Sequence, residues 1–414
     1  MESRSSRSWP RTLAHRAVTQ SVIATDPDAG VNESSWRKAA PAASEVRRTV
    51  VALLSGTPEA ESLLGRAAVS AGAFRATAER LSLRLPDCGE LSTRLLGQVR
   101  QAEALGHGRM WLGERYAPRA PEVSAADLSP RRPAGPAPGG GTDAQLAVIV
   151  PVGTGARAEG RRRNFVAALL AAHRQTLERG RYRIVVVEQG PEPRCAKLLR
   201  PLADDYVFAP NHGPFNKSWA LNIGAVRTPG QPYLCLLDGD SLLEPHHLEL
   251  FLSRLRTGDS AFLPFREVVF LDRPSADTAV ATLMPARAKA GSLDWSELRG
   301  FSLLEVKGFC LCVSRSRFLA CGGYDERYRG WGDEDNEFHR RLVETGPVTR
   351  LPGRLVHLWH ERPRMTGQDR RRPNAHLIGT PRPAPPVRIG DIDKYRPEPD
   401  VSAEGEELHA QHGQ

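Results

Sequence analysis

Residues 147–189 read AVIVPVGTGARAEGRRRNFVAALLAAHRQTLERGRYRIVVVEQ. The apolar run AVIVPV at 147–152 ends in proline-valine, as a strand buried on both faces does. Residues 161–178 repeat apolar positions at helical spacing, with Phe165, Leu169, Leu170 and Leu177 turned inward. RIVVVEQ at 183–189 is a second buried strand. Strand, helix, strand at this spacing predicts a βαβ unit, hence an α/β fold with a mostly parallel sheet. Ligands in such sheets bind beyond the carboxyl ends of the strands.

Downstream the pattern continues. DDYVFAP gives a short strand, FNKSWALNIGAV at 215–226 a helix, and YLCLLDGDS at 233–241 a strand that runs into carboxylates. Upstream, residues 117–142 are dominated by proline and glycine and read as a linker. Residues 44–116 repeat apolar positions at three and four, so 1–116 is expected to be a small helical accessory module whose first 35 or so residues are polar and loose. The catalytic domain is expected over 143–379, and 380–414 as a proline-rich polar tail without fixed structure. On that division a chain beginning near Thr142 is expected to keep donor hydrolysis, with acceptor use or solubility open to loss.

The 414 residues are 40% hydrophobic and 25% charged, with a formal net charge of +9. Arg161 to Arg163 and Arg370 to Arg372 are the densest basic runs, and no aromatic pattern is interleaved with them. Phosphate-bearing ligands or plain solubility are therefore expected rather than nucleic acid. The six cysteines form no CxxC pair, and Cys235 and Cys310 lie in apolar runs like small buried hydrophobes. The N-terminal MESRSSRSWPRT has no apolar core of a signal peptide, and no apolar run reaches the length of a membrane span. A cytoplasmic protein is expected, with peripheral membrane contact compatible. High alanine, arginine and glycine usage is that of a GC-rich bacterial source.

Three stretches carry chemistry. RGWGDEDNEFHRRL at 329–342 crowds Asp333, Glu334, Asp335 and Glu337 behind a glycine corner and into the first turn of a helix. The positive end of a helix favours ionised carboxylates there, and an ionised carboxylate beside a pocket suits a general base. Asp238 and Asp240 end a buried strand, as suits a hard divalent cation and the phosphates it bridges. HLWH supplies His357 and His360, and neutral imidazole joins Mn²⁺ beside carboxylate oxygen.

In this order the stretches resemble the catalytic domain of β-1,4-galactosyltransferases and their relatives. AVIVPV, YRIVVVEQG, FNKSWALNIG, CLLDGDSLLEP, KGFCLCVSRSRFLACGGYDERYRGWGDEDNEFHRRL, HLWH and RRPNAH follow that family's sequence of segments over residues 147–376. WGDEDNEF is also similar to a motif of chondroitin-type polymerases and polypeptide N-acetylgalactosaminyltransferases. The resemblance implies a GT-A type, Rossmann-like fold. It implies Asp240 and His360 as metal ligands, Asp238 in support of a nucleotide-sugar, Asp335 as catalytic base and Glu334 as the acid that holds the acceptor sugar. Phe215, Asn216 and Asn222 match the segment flanking the nucleotide, and Trp331 matches a tryptophan of the mobile loop beside the acceptor. The chain departs from the family where PVGTGAR replaces an arginine-bearing PFRNR, leaving a diphosphate contact absent or passed to Arg157. It departs again at Lys217, where arginine is usual, at His357, a second imidazole that could join the metal, and at Asn336.

The resemblance implies transfer of a hexose or N-acetylhexosamine from a nucleotide-sugar, a UDP-sugar by family, to a hydroxyl of a glycan, secondary metabolite or peptide. Mn²⁺ or Mg²⁺ would be the cofactor. Asparagine stands at the Asp335 position in the retaining polypeptide N-acetylgalactosaminyltransferases, so the aspartate points to inversion. The alternatives are a sugar-1-phosphate nucleotidyltransferase, for which GTGARAEGRRR is a poor phosphate loop, and a catalytically silent binding or scaffold module.

Overall fold

A computed structural model describes residues 8–31, 33–54, 57–106, 108–128, 144–154, 159–284, 292–330, 332–361, 374–382 and 388–395. Five helices come first: α1 (Ser8–Ile23), α2 (Glu33–Leu53), α3 (Thr57–Ala67), α4 (Ala71–Arg84) and α5 (Gly89–Leu105). Then follow β1 (Gly108–Leu112), β2 (Leu146–Gly153), α6 (Arg162–His173), β3 (Tyr182–Gly190), α7 (Ala196–Leu199), β4 (Asp205–Pro210) and α8 (Lys217–Arg227). Next are β5 (Tyr233–Leu237), β6 (Ser241–Leu242), α9 (His247–Arg256), β7 (Ala261–Leu263), β8 (Glu267–Leu271) and α10 (Arg273–Ala281). The last elements are β9 (Arg299–Leu304), β10 (Cys310–Ser314), α11 (Arg315–Ala320), α12 (Glu334–Glu344), β11 (Thr349–Arg350) and β12 (Arg354–His357).

The opening βαβ unit forms as its sequence predicts. β2 lies parallel to β3 on one side and to β5 on the other, and β4 extends the parallel set beyond β3. In the order β4-β3-β2-β5 the chain builds outward first on one side of β2 and then on the other, so the topological switch point, where such sheets bind ligands, lies past Gly153 and Leu237. β2, β3 and β5 are almost wholly buried, which is why they read as continuous apolar runs. β10 and β7 add antiparallel pairs, and β11 joins at that edge. A second, mixed sheet of order β1-β9-β8-β12-β6 carries His357 at the end of β12.

Four expectations about the periphery change. The stretch expected to be loose contains α1, with Leu13, Ala14, Ala17 and Val18 buried on one face. Arginines, a histidine and threonines interrupt that stripe and obscure it in the sequence. The helical pattern expected up to Tyr116 stops at Leu105, because GRMWL becomes β1 and pairs antiparallel with β9, Met110 opposite Phe301. Of the linker, residues 117–128 pack on the main core through buried Val123 and Leu128, while 129–143 lie outside the described residues. Within the tail, 388–395 docks on α8. Ile389, Ile392 and Tyr395 cover the core, and Trp219 Nε1 donates to Asp391 O at 2.7 Å. Two isoleucines and a tyrosine among prolines and charges are enough to bury this piece.

Candidate active site

The DGD turn is fixed by the backbone. Asp238 N–H donates to Phe309 O at 2.9 Å, and Ser241 N–H donates to Asp238 O at 3.0 Å. A Cβ on Gly239 would sit 2.8 Å from the Phe165 ring, so glycine lets α6 close over the turn. Leu358 N–H donates to Asp240 O at 2.8 Å, and His357 pairs with Ser241. These bonds bring HLWH against the strand-end acids across more than a hundred residues of sequence.

Asp240, His357 and His360 are all buried, and their ligand atoms lie within 4.8 Å of one another. His357 Nε2 is 3.5 Å from Asp240 Oδ1, and His360 Nε2 is 3.2 Å from Asp240 Oδ2. Arg161 Nη2 reaches the same carboxylate at 2.5 Å. Burial opposes charge on Asp240, but His357, Arg161 and His360 together hold its carboxyl well below the usual range. One carboxylate and two imidazoles, converging and dry, fit a first-row divalent cation. His357 is wedged between the rings of Phe270 and Phe309, at 4.7 and 5.5 Å between centroids.

A second cluster lies beside the first. Lys217, at the start of α8, places Nζ 2.7 Å from Asp238, 3.0 Å from Asp335 and 3.9 Å from Glu334. Tyr324 Oη donates to Asp335 Oδ1 at 3.2 Å. A Cβ on Gly308 would fall 2.1 Å from Asp335 Oδ2, so the chain entering β10 runs directly beneath that carboxylate. Gly332 and Asp333 take positive φ, 103° and 73°, and so turn the chain into α12. Asn374 holds the corner, donating to Gly332 O at 2.8 Å and accepting from Arg329 N–H.

Three carboxyls around one ammonium leave a surplus of negative charge. Burial first, then Asp335, pushes Glu334 up to about 8. Burial also pushes Asp238 up to about 6, against the pull of Lys217. Burial works against the charge on Lys217, yet Asp238, Asp335 and Glu334 together raise it well above the usual lysine range. The helix N-terminus does not keep Glu334 ionised as its position in the sequence suggests, because desolvation outweighs the helix dipole. Near neutral pH Glu334 carries a proton and can donate a hydrogen bond.

The remaining expected residues sit around this centre. The Phe215 ring lies against Gly153 at the carboxyl end of β2. Asn216 caps α8 through Trp219 N–H and donates to Glu326 O and Tyr395 Oη. Asn222 grips the Tyr324 backbone in both directions and donates to Glu326 Oε1. The amides of both asparagines are thereby committed to positioning the Tyr324 segment. Trp331 and Arg157 lie outside the described residues. Arg161 and Tyr324 were not singled out from the sequence. Arg161 lies in a basic run that reads as phosphate binding or plain solubility, and Tyr324 between GG and DERYRGWGDED with no local signal of a contact to Asp335.

Residues 159–302 match a family model described as glycosyl transferase family 2, and residues 303–361 match one described as the N-terminal domain of galactosyltransferase. Human chondroitin sulfate N-acetylgalactosaminyltransferase 2 is 29% identical over 168 residues, 38% of this chain and 29% of the relative. The mouse protein of the same name is 30% identical over 158 residues, 36% of this chain and 27% of the relative. The chain thus spans less than a third of the length of these curated relatives. Among solved structures, the catalytic domain of Drosophila β1,4-galactosyltransferase 7 with xylobiose is 20% identical, covering 50% of this chain and 64% of that one at a TM-score of 0.29. A mutant of that enzyme in complex with manganese, UDP-Gal and xylobiose is 18% identical over the same shares, at a TM-score of 0.30. Residues 159–361 are a galactosyltransferase-like glycosyltransferase region on an α/β fold.

Proposed function

We propose that this protein transfers a hexose or N-acetylhexosamine from a UDP-sugar to an acceptor hydroxyl, by a single displacement with inversion. The observation that carries the reading is Lys217. By contacting Asp238 and Asp335 together, it joins the strand-end acids to the acidic helix start in one cluster next to the Asp240–His357–His360 group.

In this reading Asp240, His357 and His360 would hold Mn²⁺ or Mg²⁺, which supplies neutralisation of charge on the leaving diphosphate. Arg161, already on Asp240, is placed to take over part of the diphosphate charge in place of the arginines that PVGTGAR lacks. Asp238 orients the donor sugar. Asp335 accepts the proton of the acceptor hydroxyl as that oxygen attacks the anomeric carbon, with Lys217 and Tyr324 fixing the carboxylate's direction. Glu334, protonated, grips an acceptor oxygen by donating to it. The names of the human and mouse relatives favour a glycan acceptor over a secondary metabolite or a peptide. No helix among the described residues is long and apolar enough to cross a membrane, and a cytoplasmic setting belongs to the same proposal.

A panel of UDP-sugars incubated with the purified protein tests the reading. Release of UDP from one of them is expected with Mn²⁺ and should stop with EDTA. Release that is indifferent to EDTA, or none from any UDP-hexose or UDP-N-acetylhexosamine, contradicts it.

A further inference from the structure

Behind the DGD turn lies a group of side chains that this mechanism does not use. Cys235 sits in the middle of β5, and Cys312 is its direct partner on β10. Cys310 is two residues from Cys312, so both project from the same face of the strand. All three are at most 1% exposed. Their sulfurs lie within 4.8 Å of one another, and Cys235 Sγ is 3.7 Å from Cys310 Sγ. Three sulfurs bound to one ion at about 2.3 Å stand about 4 Å apart in a trigonal plane, so little movement would be needed to enclose an ion.

We propose that Cys235, Cys310 and Cys312 form a site for a thiophilic monovalent cation, Cu(I), held by their three sulfurs. The ligand class selects a soft metal. Among the described residues no histidine, carboxylate or fourth cysteine joins the group, so the tetrahedral shell that Zn²⁺ favours is not complete. Binding forms three sulfur–copper bonds, transfers no electron and releases the protons of the ligating thiols to solvent, since the thiolate is the ligand. The site is separate from Asp240, His357 and His360, which offer nitrogen and oxygen.

Because the sulfurs are shut from solvent, the full chain is best loaded during expression in copper-supplemented cells and purified under reducing, anaerobic conditions. One copper per chain is expected, and X-ray absorption should show a shell of three sulfurs near 2.3 Å. Cys235→Ala and Cys312→Ala should each cut retained copper roughly 10- to 100-fold, with Cys88→Ala unchanged. No retained copper in the folded wild-type protein overturns the proposal. So does a copper shell of nitrogen and oxygen, or copper content unaltered in both cluster variants. Should the variants fail to fold, the wild-type absorption spectrum still decides.

Discussion

At the scale of single residues, three carboxyls, Asp238, Glu334 and Asp335, divide the charge of one lysine, Lys217. Glu334 is raised to about 8 from an ordinary 4.5, so the folded protein binds a proton there that the unfolded chain releases. Its contribution is fully present below about 4.5 and is lost as pH rises through about 8. Glu334→Gln imitates the protonated form. Its melting temperature relative to wild type should therefore climb across that window, and parallel pH profiles would show that Glu334 is not proton-bound. Asp335→Asn keeps size and loses the base. Transfer should fall by about two to four orders of magnitude while donor affinity measured by calorimetry holds. The type of each residue was legible in RGWGDEDNEFHRRL, but its ionisation was not. Position in a helix first turn is local information, whereas the burial that protonates Glu334 is set by the folded surroundings, and the further upward push from Asp238 comes from a strand end far away in sequence.

At the scale of elements, what the sequence revealed and what it hid have a common cause. The strands β2, β3 and β5 and the helix α8 announce themselves because burial on both faces, or helical spacing, repeats within a dozen residues. The DGD, EDN and HLWH stretches are likewise contiguous. Arg161 on Asp240, 79 residues apart, and Lys217 on Asp335, 118 apart, are products of the crossing of elements and have no local signature. The same holds for the cysteine trio, of which Cys235 and Cys310 read singly as small hydrophobes. Gly308 tests the crossing of β10 under α12. Gly308→Ala would put a methyl 2.1 Å from Asp335 Oδ2 and displace the carboxylate. Turnover should drop about 100-fold with donor binding retained, since a shift of about 1 Å is enough for that. Turnover near wild type would mean that the Asp335 position is not held by this contact.

At the scale of the whole molecule, the N-terminal helices are bound to the catalytic sheets more closely than a helical module on a linker would be. β1 completes the edge of the second sheet along β9. Arg299, at the start of β9, is buried with its guanidinium 2.5 Å from Asp26 and its Nε donating to Ala68 O. A chain beginning near Thr142 is therefore expected to be strongly destabilised and to lose donor hydrolysis, contrary to the division that composition suggests. Arg299→Ala should cost about 3–5 kcal/mol in denaturant unfolding, because Asp26 is left buried without its counter-charge. A change within about 0.5 kcal/mol would show that the two parts are independent.

The central claim is a direct displacement at a donor held between the Asp240 group and Asp335. With water in place of the acceptor, the full chain should release a free sugar whose first-formed anomer proton NMR can identify before mutarotation. From an α-linked UDP-sugar the account requires the β-anomer to appear first. First appearance of the α-anomer would contradict inversion and the role given to Asp335.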